Sequence, residues 1–225
     1  IIQDCLIHEG HQACGILIRN ESSGTIENCD VYRNPDPGIY IGEGSTPTVR
    51  RCKVYEGGHH GILAVTNSRG KIQSCELYAN QLAGLAIENG SDPEVIRCKM
   101  RDQRFTGLFV TDSGRGELTD CDLGPSDVAG VILENGAKPL FKQCKVHDSA
   151  QTGVAILPDG HAVLEECQIA SNHLAGIMIG HGGEAVLTAC QVHDNGQVQI
   201  RVEQDGRCWI DKLTTPLSRS RDEIN

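Results

Sequence analysis

The stretch "QSCELYANQLAGLAIENGSDPEVIRCKM", residues 73–100, holds Cys75 and Cys98, which stand 23 positions apart. The same step taken in both directions meets Cys29, Cys52, Cys121, Cys144, Cys167 and Cys190. Glycine keeps it too, at Gly15, Gly38, Gly61, Gly84, Gly107, Gly130, Gly153 and Gly176. A period held this long without insertion or deletion marks a chain built by stacking copies of one unit, each unable to bury its apolar face alone.

Inside the quoted stretch, Leu85 and Ile87 follow Gly84 at alternate positions, the period of a strand with one buried face. The turn "ENGSDP" at 88–93 comes next, and "ENGAKP" at 134–139 repeats it two units later. A second short strand is marked by Val95, with Ile72, Leu118 and Phe141 in the same column, and the cysteine follows three residues on. Met100 marks a third strand, and a polar turn often containing Asn (Asn34, Asn80, Asn172, Asn195) leads to the next glycine. Three strands of three or four residues leave no room for a helix, and a four-stranded propeller blade needs ~40 residues. The fold expected is therefore all-β: a single-stranded right-handed parallel β-helix solenoid of about nine coils, 23 residues each, with a C-terminal cap. The repeats are placed at 1–202, entered through a partial coil carrying Cys5 and Ile7 one residue out of phase. Residues 203–213, "EQDGRCWIDKL" with the only Trp, are expected to cap the open end, and 214–225 to form a poorly ordered polar tail.

Composition narrows the partners. Thirty acidic against twenty basic side chains give a net charge of −10, which disfavours nucleic acid and anionic membrane surfaces. No apolar run is long enough for a transmembrane helix, and the first residues lack a signal-peptide layout. The missing initiator Met marks a fragment or processed chain. The cysteines form a line along the stack rather than a converging tetrahedral set, so no metal and no cofactor is expected. They are expected as reduced core thiols, although coil spacing alone leaves bridging between neighbours open. Reduced thiols point to a cytoplasmic or nuclear location.

The pattern G-[ILV]-x-[IV]-…-[ILV]-x-x-C-x-[ILV] resembles the parallel β-helix repeat of the pectin-lyase-like superfamily. It is most similar to that superfamily's carbohydrate-binding and sugar-hydrolase-type coils, including those in the β-helix domain of F-box proteins. The resemblance implies the fold strongly and the activity weakly, since the superfamily hosts lyases, hydrolases, epimerases and non-enzymatic binding modules. Its active-site signatures are missing here. "GHGG" at 180–183 resembles the Gly-His-Gly of polygalacturonases without the companion elements, and "DPEV" at 92–95 lacks the histidine of the alginate epimerase motif.

Two surface features remain. The outward residue of the first strand reads Leu17, Tyr40, Leu63, Ala86, Phe109, Ile132, Ala155 and Met178, an apolar stripe along the rod. Leu17, Tyr40, Leu63, Phe109, Ile132 and Met178 are the candidate partner-binding residues, and the same stripe offers a route to a homo-oligomer. Just after that strand, Glu43, Glu88, Asp112 and Glu134 form a candidate acidic groove, weighed against a plain charged turn. The "VHDS" and "VHDN" turns place His147 and His193 in one column, where a solvated turn is the simpler account. Seven equal glycine-to-glycine intervals leave no long loops to wall a cleft, so no catalytic residue is expected in this segment. The leading expectation is a non-enzymatic recognition module for a protein partner or a glycan. The alternative is a carbohydrate-active enzyme, a polysaccharide lyase, hydrolase or epimerase, working through the acidic groove on an acidic or neutral polysaccharide.

Overall fold

A computed structural model describes residues 1–11 and 13–213, and the expected tail at 214–225 lies outside the described residues. Every strand pairs in parallel with its counterpart one coil away, giving three sheets of nine, ten and nine strands that run the length of the rod. The first sheet contains Ile16–Ile18, Leu85–Ile87 and Ala175–Ile179, the second Ile2–Gln3, Glu94–Ile96 and Arg207–Asp211, and the third Leu6–His8, Lys99–Arg101 and Gln191–His193. Register follows the sequence period: Leu85 faces Leu108, Val95 faces Leu118, and Leu77 faces Met100. The inward columns form one continuous core, in which Leu85, Ile87, Val95, Met100 and Phe141 are buried.

The cysteine column sits where the second sheet bends into the third. The bend is one residue in the left-handed region, Ser74 at φ 53° and Arg97 at φ 51°, and none of the eight residues in this column is glycine. Such a bend turns the preceding carbonyls inward, where they need a donor. The buried thiol meets them: Cys75 Sγ donates to Gln73 O at 3.4 Å and to Val49 O of the coil before at 3.6 Å. Cys29 through Cys190 are buried in this way, so the column supplies small core volume with a weak donor.

The glycine column has a steric cause rather than a dihedral one. A Cβ on Gly61 would stand 2.6 Å from Gly84 O and 2.9 Å from Asn80 Nδ2. The amide it clears space for belongs to a second ladder, in the turn between the third and first sheets. Asn172 accepts the Ser149 N–H at 3.1 Å and donates to Ala170 O at 3.1 Å, while its own N–H donates to Asn195 Oδ1 at 3.0 Å. The ladder is interrupted at Ser126 and Ser149, whose buried hydroxyls have no partner among the described residues.

Residues 203–213, expected as a cap, instead extend the rod. Arg207–Asp211 pairs in parallel with Glu184–Thr188 as the last strand of the second sheet. Ile210, on the inward column of Leu187, remains 48% exposed because no further described coil stacks on it.

Candidate functional site

The outward face of the first sheet carries both features singled out from the sequence. Its floor is the apolar column, and the structure corrects how much of that column is open. Ala86 is fully buried, and Leu63, Ile132 and Ala155 are buried with it. Side chains from the flanking turns lean across the strands. Val65, Leu63 and Ala86 pack with Tyr40 and Phe109, while Ile132, Ala129 and Ala155 pack with Phe105, Val128, Leu157 and Met178. Of the six residues expected to meet a partner, Leu63 and Ile132 therefore serve an outer apolar layer. Tyr40, Phe109 and Met178 are half-buried, and Leu17 alone is open, at 54%.

The acidic residues flank this floor on the turn that leaves the first sheet, in two columns rather than one band. Glu88 and Glu134 stand four residues after Gly84 and Gly130, two coils and about 10 Å apart, with Thr111 between them. Asp112 lies one position further along its turn, next to Glu88, with φ 49°. Glu43 shares the Asp112 column three coils before it, two coils from Glu88 on the side opposite Glu134, and its carboxylate is engaged in accepting the Asn20 N–H at 3.1 Å. Burial raises the Glu88 carboxyl above the ordinary carboxylate range, and the negative charge of Asp112 adds to the shift. A carboxyl with a raised pKa thus lies beside a second acid, with a third two coils along, which is the material of acid–base chemistry.

The histidines fall elsewhere. His147, on the outward face of the third sheet, is held between two carboxylates, with Nε2 2.7 Å from Asp122 and Nδ1 2.6 Å from Asp148. Burial would lower its pKa, but the hydrogen bonds to Asp148 and Asp122 outweigh burial and leave it raised. His193 contacts Asp194 at 2.7 Å and Gln168 at 3.2 Å. Both rings are fixed on a flat face away from the acidic turn. On the same sheet the sequence reading missed a stacked ladder of His8, Tyr32, Tyr55 and Tyr78, with centroids 4.6, 5.0 and 4.7 Å apart, closed by Arg101 over Tyr78 at 4.6 Å. Its signal was present, since Tyr32, Tyr55 and Tyr78 keep the 23-residue step.

The chain is matched by the family model described as right handed beta helix region, over residues 1–126, 44–148 and 129–215. No curated protein matches it. Among solved structures it is similar to the periplasmic alginate epimerase AlgG, at 12% identity and TM-score 0.74, covering 89% of this chain and 62% of that one. It is also similar to the A-module of the Azotobacter vinelandii mannuronan C-5 epimerase AlgE6, at 16% identity and TM-score 0.61, covering 90% of this chain and 63% of that one. Pectate lyase Pel9A matches at 12% identity and TM-score 0.59, covering 91% of this chain and 70% of that one. At such identities the likeness carries the fold, and the chain spans 62% and 63% of the two epimerase chains.

Proposed function

Because the chain belongs to the right-handed β-helix family, within the pectin-lyase-like superfamily, we propose that it acts on a polysaccharide laid along the outer face of the first sheet. The observation that carries this reading is Glu88, a half-buried carboxyl with a raised pKa beside Asp112, bordering a floor of half-buried Tyr40, Phe109 and Met178. A protonated carboxyl can donate to a glycosidic oxygen while a second carboxylate positions water, and the carboxyls of inverting hydrolases lie roughly 6.5–9.5 Å apart. The Glu88–Glu134 column spacing of about 10 Å between Cα atoms is compatible with that arrangement. Epimerisation or elimination on a uronate additionally requires a cation against the sugar carboxylate, and Arg115 and Lys138 stand on the same turns as Asp112 and Glu134. Hydrolysis is the reaction proposed here because two carboxyls are its whole requirement, and the sugar-active character of the structural neighbours supports a glycan as substrate.

The test is a panel of neutral and acidic polysaccharides assayed for new reducing ends. Glu88→Gln and Glu134→Gln are each expected to lower turnover about a hundredfold or more, with unchanged circular dichroism and melting temperature. If no polysaccharide is cleaved and the Tyr40→Ser, Phe109→Ser, Met178→Ser triple variant loses affinity for a bound macromolecule, the recognition-module reading replaces this one.

A further inference from the structure

The second sheet carries a separate feature at its C-terminal end. Leu140, Val163, Val186 and Trp209 face outward in consecutive coils and in direct register. Trp209, the only tryptophan, is 50% exposed, and Val163 and Val186 are exposed beside it. A large open indole on a solvated sheet is costly to leave in water and is the kind of apolar surface that marks a contact site.

The two flanks of this row differ in charge. On one side, at the same step of 23, run Lys138, His161, Glu184 and Arg207, while the other side runs Lys142, which is paired with Glu117, then Glu165, Thr188 and Asp211. On the basic flank the single acid is already compensated: Glu184 accepts from Arg207 at 3.2 Å and contacts His161 Nδ1 at 3.0 Å. Lys138 has no ion-pair partner among the described residues and lines, with His161, Glu184 and Trp209, a cleft of about 280 Å³ over the valines. The cleft thus combines an aromatic plate, an apolar floor, fixed hydrogen-bonding side chains and one uncompensated cation, on a chain whose net charge is −10.

We propose that this cleft is a second glycan-binding site, taking anionic sugar residues of an extended polysaccharide. A pyranose ring has an apolar face for the indole and hydroxyls for His161 and Glu184, and its acidic substituent is drawn to Lys138 and turned away from Glu165 and Asp211. The coil rise of about 4.8 Å is close to the advance of one sugar in an extended chain, so successive sugars meet successive coils. Val163, Val186 and Trp209 of this site lie on the second sheet, while Lys138 shares its turn with Glu134, and binding in the cleft does not depend on catalysis at Glu88.

Because Trp209 is the only tryptophan, the emission of the full chain reports on this cleft alone. A galacturonate tetramer, a heparin-derived tetrasaccharide and neutral maltotetraose are titrated against the protein. The expected result is a saturable change in emission with one or both anionic oligosaccharides, weakened by salt, and raised about tenfold in Kd by Lys138→Glu. Response to only one of them identifies carboxylate or sulfate as the recognised group. Glu88→Gln leaves the emission titration unchanged, so this proposal and the hydrolase reading succeed or fail separately. The proposal is overturned by no saturable change with either anionic sugar, by an equal response to maltotetraose, or by an unaltered Kd in Lys138→Glu. Emission that shifts with protein concentration alone also overturns it, since the occupant is then a second copy of the chain.

Discussion

His60 makes the fold sensitive to acid. Its ring is buried, the Ala83 N–H donates to its Nδ1 at 3.0 Å, and burial followed by the proximity of His59 holds its pKa down to about 4. Above pH ~6.5 neither folded nor unfolded chain protonates this ring; as pH falls towards 4 the unfolded chain takes up a proton that the folded chain refuses, so stability drops, by roughly 3 kcal/mol at full extent. His147 acts in the opposite sense, because its raised pKa stabilises the fold at low pH and that contribution fades as pH rises through the folded value. Denaturant unfolding from pH 7 to 4 should therefore show a flatter acid limb in His60→Asn, whose amide oxygen can still accept from Ala83. At the bends, Ala189 holds φ 53° without glycine's freedom. Ala189→Gly is expected to raise stability by about 1 kcal/mol in the same assay, an upper figure because glycine also loosens the unfolded chain.

At the scale of the element, the ladders do what single strands of three residues cannot. Asn172→Ala removes the acceptor of the Ser149 N–H and the donor to Ala170 O at once, in a buried turn, and should cost about 2–3 kcal/mol by chemical denaturation. Cys98→Ala, which loses a sulfur of core volume and two weak hydrogen bonds, should cost less, about 1–2 kcal/mol. Strand positions and facing were legible from the 23-residue step alone, because inward and outward columns are fixed once glycine and cysteine are aligned. The openness of the outward stripe was not, because its cover comes from Val65, Phe105, Val128 and Leu157, residues of the flanking turns and strand ends that fall outside the outward column. The two acidic columns were legible in their offsets from glycine, five residues for Glu43 and Asp112 against four for Glu88 and Glu134. Trp209 was misplaced for a different reason: inward periodicity fades at the last coil, although Lys138, His161, Glu184 and Arg207 keep the step on the outside.

Across the whole molecule, each coil contacts only its neighbours, so stability accumulates coil by coil. Removal of one full period, residues 73–95, joins Ile72 to Ile96 in register and should leave a folded rod by circular dichroism. The penalty of a repetitive chain is that each coil resembles its wrong neighbours nearly as well as its right ones. On the third sheet, Asp30, Lys53, Glu76, Lys99, Asp122 and Lys145 face one another in direct succession, each charge opposite the next in sign. A slip of one coil sets like charge against like along this run, and a slip of two restores attraction. The column therefore acts as a parity bit, a one-digit checksum by which a chain of near-identical words detects that one has been skipped.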